Sequence, residues 1–177
     1  PDRTHAVAPA RNWGPFEPLR ERTFGRIWSA SLLSNFGQLI LGVAAAWEMT
    51  RLTTSAEMVA LVQSAMMLPL MLVSVPGGAI ADMFDRRKIA MAGLGFATLC
   101  AAVLTALSWF GFTSPWLLLA FCSLIGTGVA LYGPSWQASI GEQVTPEQLP
   151  AAIALGSISY NIARSFGPAL GGMIVLA

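Results

Sequence analysis

Arg164 is the residue hardest to reconcile with its surroundings. It stands in an apolar run that begins near Leu149 and is still apolar at Ala177, and at about 1.5 Å per residue it lies roughly 20 Å along a helix. A guanidinium at that depth needs a partner. It either binds an anionic or polar substrate group or couples to a carboxylate, or it braces carbonyls or an acid on another segment. The same run carries Ser157, Tyr160, Asn161 and Pro168 at helical spacing. An earlier stripe, Ser31, Asn35, Gln38 and Gly42, falls at i, i+4, i+7 and i+11. Such a line is either a wall of a watery cavity or a seam of small and amide residues packed on another helix, and the two readings stand level. Glu48, near an interface, is expected to pair with Arg51 at i+3.

Other chemistries lack raw material. The only histidine is His5, in the amino-terminal stretch, and Cys100 and Cys122 sit inside apolar runs as small hydrophobes. No metal site, cofactor or His-based catalysis is expected, and no close acid pair equips an intramembrane enzyme. Ten Lys plus Arg against nine Asp plus Glu leave a net charge of +1, too little to hold a nucleic acid.

The elements that position these residues follow from composition. Of 177 residues, 55% are hydrophobic and 11% charged, and the mean hydropathy is +0.63, which points to a membrane protein. A span needs roughly 20 mostly apolar residues. Five such runs occur, at about 24–46, 58–84, 89–110, 116–136 and 149–177, after a tail over 1–22. Lipid offers no partner to the backbone, so the runs are expected to be helices. Their short connections predict antiparallel neighbours. Arg3, Arg11, Arg20, Arg22 and Arg26 share one side with Arg86, Arg87 and Lys88, which predicts a cytoplasmic amino terminus and a multi-pass protein of the inner cell membrane. Pro69 and Pro76 predict kinks whose freed carbonyls need new partners. Gly167 and Gly171, like Gly126, Gly128 and Gly133, are expected to admit close helix packing. The start at Pro1 and the unflanked apolar end at Ala177 suggest a piece of a longer protein.

Three motifs carry a family resemblance. Gly78, Ala81, Asp82, Arg86, Arg87 and Lys88, at the end of the second run and in the loop after it, resemble the Gly-x-Leu-Ala-Asp-Arg-x-Gly-Arg-Lys signature of the major facilitator superfamily. Gly167-Pro168-Ala169-Leu170-Gly171-Gly172 looks like the Gly-Pro-x-x-Gly-Gly signature of its antiporters. Tyr132 to Ala138, Leu149 to Ala152 and Asn161 to Arg164 are similar to the branch that includes the enterobactin exporter and related multidrug exporters.

The resemblance implies an all-α bundle, here about five of twelve helices, facing a carboxyl-terminal half of the same protein. It implies alternating-access export of small amphipathic molecules of drug or siderophore type, driven by protons. Asn35, Gln38, Tyr160, Asn161 and Arg164 would line the substrate site. Gly78, Asp82, Arg86, Arg87 and Lys88 would form a cytoplasmic gate, and Gly167, Pro168, Gly171 and Gly172 would shape the fifth helix. Asp85 departs from the signature's Gly, and Cys122 stands four residues before Gly126, where proton-coupled relatives carry Arg. The alternative is a non-transporting scaffold or partner-binding subunit.

Overall fold

A computed structural model describes residues 14–83 and 85–176, with side chains throughout except at 74–83, 86, 134–135 and 138. All regular structure among the described residues is helical. A short 3-10 turn, Glu17–Arg20, precedes α1 (Arg22–Leu52), α2 (Ala56–Met83), α3 (Arg86–Trp109), α4 (Pro115–Ile140) and α5 (Leu149–Leu176). At 31 residues α1 extends about 46 Å and outruns a bilayer core of about 30 Å.

The helix ends are set by local chemistry. Asp85 caps α3 by accepting from the Arg87 backbone N–H at 3.0 Å, and its φ of −62° and ψ of 108° are ordinary extended values. The carboxylate thus makes a tight entry into α3 where the family signature has a Gly, and no left-handed residue is required. Ser114 caps α4 in the same way, 3.3 Å from the Leu117 N–H, with Pro115 in the first turn. Gly111, at φ +74°, ends α3: its N–H donates to the Ser108 carbonyl at 3.1 Å, and the Phe112 N–H reaches back to Leu107 at 2.9 Å. These are the two bonds of a Schellman stop, whose left-handed position favours glycine.

Stretches within α1 to α4 are long and apolar enough to cross a membrane, at Arg22–Leu52, Ala56–Val73, Arg87–Trp109 and Pro115–Gly133. α5 has the length, 28 residues, but Ser157, Ser159, Tyr160, Asn161 and Arg164 in its middle lower its apolarity.

The expectation that neighbours in sequence are neighbours in space needs correction. α2 and α3 scarcely touch despite their tight connection; α4 packs extensively on both, and α1 packs chiefly on α5. A short loop fixes only two helix ends, whereas the partner of a helix is decided by where backbones can approach. Gly126 lies against the Met66 carbonyl of α2, and a Cβ on Gly128 would stand 2.5 Å from the Gly93 carbonyl of α3. The α4 glycines therefore seat both neighbours. Gly133 does not share this role, since nothing lies within 4 Å of its Cβ position.

Pro69 explains a further tie. Lacking an N–H, it leaves the Ala65 carbonyl without its helical donor, and the Ser123 hydroxyl of α4 donates to that carbonyl at 3.1 Å. Ser123→Ala should therefore destabilise the bundle by about 1 kcal/mol, read as a lower thermal midpoint of the purified protein. Thr127→Ser, which keeps a hydroxyl whose bond stays within α4, should leave the midpoint nearly unchanged.

Two apolar clusters close the bundle at opposite ends. One joins Met49, Val62, Leu104, Leu118 and Cys122 from α1 to α4; the other joins Phe24, Ile140, Ala152 and Leu155 at the entry of α1 and the α4–α5 turn. Between them α1, α2 and α5 stand apart far enough to leave a cavity.

Candidate functional site

The cavity has a volume of about 580 Å³ and is lined by α1, α2 and α5. α1 contributes most of the wall, with Asn35, Gln38, Gly42 and Trp47 among its lining residues. The spacing that produced the polar stripe in the sequence carries it along this face. α2 adds Gln63, Met66 and Met67, and α5 adds Tyr160 and Pro168. Among the described residues, none that lines it is charged. The wall combines three amides and a phenol with thioethers, an indole and aliphatic carbons, a mixture suited to an apolar body with a few polar groups.

The two readings of the α1 stripe both hold. Asn35 faces the cavity and also donates its amide to the Ser159 hydroxyl of α5 at 3.3 Å. Ser31 is buried, beside Tyr132 of α4. Trp28 donates from its indole nitrogen to the Leu155 carbonyl at 2.8 Å.

α5 lies parallel to α1, in register from Trp28–Leu155 through Asn35–Ser159 to the glycines. A Cβ on Gly167 would stand 2.9 Å from the Leu39 Cβ, and one on Gly171 would stand 3.1 Å from the Val43 Cβ. Ala152, Ser159, Ala163, Gly167 and Gly171 are all buried along this seam. Gly172 faces open space.

The remaining residues singled out in the sequence fall elsewhere. Asn161 is exposed and donates to the Ser157 carbonyl of its own helix at 2.8 Å. Arg164 is exposed too and does not line the cavity, although it stands one turn from both Tyr160 and Pro168, which do. Arg87 and Lys88 are exposed in the first turn of α3, where the Lys88 ammonium lies 3.9 Å from the carboxylate of the capping Asp85. Gly78, Asp82 and Arg86 lie outside the residues whose side chains are described.

Glu48 pairs with Arg51 at 3.4 Å as its spacing suggests, and it also accepts from Ser108 of α3 at 3.0 Å. Gln63 escaped the sequence reading. It is an amide inside an apolar run, the same signal that marked Asn35 and Gln38, but it has no stripe of polar neighbours to announce it.

Residues 13–177 match the sequence family described as transmembrane secretion effector. The chain belongs to this family. That membership agrees with the resemblance to the major facilitator superfamily. Among curated proteins, this chain is 27% identical over 149 residues to the staphyloferrin A transporter of Staphylococcus aureus, covering 84% of the chain and 38% of that protein. It is 24% identical over 152 residues to the multidrug efflux pump Tap of Mycobacterium tuberculosis, covering 82% of the chain and 36% of the pump. An uncharacterized MFS-type transporter, YfiS, of Bacillus subtilis is 28% identical over 110 residues, or 62% of the chain and 25% of that protein. The chain thus spans less than two-fifths of the length of these relatives, all of them transporters by name. No solved structure matches it significantly.

Proposed function

We propose that this chain forms one wall of the substrate cavity of a secondary transporter that exports small amphipathic molecules by alternating access, coupled to protons. The observation that carries the reading is the uncharged, mixed wall built on α1, α2 and α5, with Asn35, Gln38, Gln63 and Tyr160 spaced among apolar side chains. Relatives named as a siderophore transporter and a drug efflux pump support this substrate range. Their greater length supports a second set of helices facing the cavity.

In this reading α1 and α5 move as one body, because their glycine seam leaves no room for sliding. The wall rocks against the facing helices and opens to one side of the membrane at a time. The arginines beside α1 and at the α2–α3 connection support a cytoplasmic amino terminus. Gly78, Asp82, Arg86, Arg87 and Lys88 then form the cytoplasmic gate. Gly167, Pro168, Gly171 and Gly172 hold α5 in the shape that keeps the closed form tight. The middle of the five helices carries no carboxylate, so the proton is exchanged with a group outside them.

The test is transport by the full-length protein in proteoliposomes under an imposed pH gradient, with a panel of amphipathic dyes of either charge. At least one dye should move against its gradient, and a protonophore should stop it. Movement of none of them, or movement indifferent to the protonophore, would overturn the reading.

A further inference from the structure

Among the described residues the cavity wall carries no charge, yet one charge stands near its edge. Tyr160 and Pro168 of α5 line the wall, and Arg164 lies midway between them, at i+4 from the first and i−4 from the second. On a helix these three positions span about 80° and share a face. Arg164 makes no hydrogen bond or ion pair with any other described residue. It sits roughly 20 Å from the start of α5, too deep for its side chain to reach either membrane surface. A guanidinium facing lipid at that depth is strongly disfavoured. The face that bears Tyr160, Arg164 and Pro168 is therefore turned toward water or protein. No acid among the described residues lines the cavity to offset it: Glu48, between the lining residues Trp47 and Thr50, is engaged by Ser108 of α3 and by Arg51, and Glu57 stands in the first turn of α2.

We propose that this transporter selects amphipathic anions, with Arg164 as the residue that reads the anionic group. The inference rests on the transport reading above and specifies its substrate class. A planar guanidinium offers two parallel N–H donors to a carboxylate, and the low dielectric of a membrane cavity strengthens the pairing. The apolar body of the same molecule lies along Met66, Met67 and Trp47, and its neutral polar groups meet Asn35, Gln38 and Gln63. A cation of equal size meets an unopposed positive charge and is rejected.

The experiment is equilibrium dialysis of purified full-length protein with three probes of one skeleton: 2-naphthylacetate, 2-naphthylacetamide and 2-(2-naphthyl)ethylammonium. The carboxylate should bind at least tenfold more tightly than the amide, and the ammonium more weakly than either. Arg164→Gln should bring the carboxylate-to-amide ratio to about one, and Arg164→Lys should restore part of it. A preference for the ammonium would overturn the proposal while leaving the cavity reading intact. So would an equal loss of all three probes in both variants, since that marks Arg164 as a structural brace or as the partner of an acid elsewhere in the protein. Failure of all three to bind, or binding indifferent to Asn35→Ala and Gln38→Ala, would overturn the cavity reading and the proposal with it.

Discussion

Gly126→Ala should abolish most of the folded protein recovered from membranes. The new Cβ would fall on the Met66 carbonyl of α2, with the Met66 carbonyl carbon and Cα both at 3.2 Å. These are backbone atoms of a packed helix, which cannot swing aside as a side chain can. α2 would have to retreat from α4, which costs about 3 kcal/mol or more. Retreat would also stretch the Ser123 hydrogen bond to the carbonyl freed by Pro69. The check is the yield of monodisperse protein and its thermal midpoint, with Gly133→Ala alongside. Nothing lies within 4 Å of the Gly133 Cβ position, so that variant should behave like the parent; equal behaviour of the two would contradict the seating of α2 on α4.

Asn35→Ala should reduce transport at least tenfold while costing only about 1 kcal/mol in stability. The asparagine has two roles, a cavity amide and a donor to Ser159, and a second variant separates them. Ser159→Ala removes the same hydrogen bond from the α5 side, at a position buried in the seam, and leaves the cavity amide in place. Transport should fall far less in Ser159→Ala than in Asn35→Ala, with similar thermal midpoints. If both lose transport equally, Asn35 acts by holding α1 to α5.

Much of this architecture was legible because it depends on short stretches of chain. Asp85, Ser114 with Pro115, and Gly111 set helix ends through contacts within a few residues, and the stripe from Ser31 to Gly42 follows from helical periodicity alone. The close approach at Gly167 and Gly171 was legible as well, but the helix that approaches them was not. Nothing in a linear sequence says that α5 packs against α1, or that α4 separates α2 from α3, because those choices rest on complementary surfaces far apart in the chain. Gln63 was missed for the same reason: a single amide acquires meaning only when α1 and α5 supply the rest of the wall. Asn161 shared a pattern with Tyr160 but not its direction, since one residue is a 100° turn and carries the side chain off the cavity.

The most direct test of the cavity as a substrate site is alkylation of Gln38→Cys, on a background with all other cysteines replaced, by a membrane-impermeant maleimide. Cys100 and Cys122 are both buried and free in the parent chain, so their replacement removes only background labelling. Gln38→Cys should be labelled from water, and saturating 2-naphthylacetate with 2-naphthylacetamide should slow the labelling at least fivefold. Labelling that the probes leave unchanged, or no labelling at all from the aqueous phase, would contradict the account.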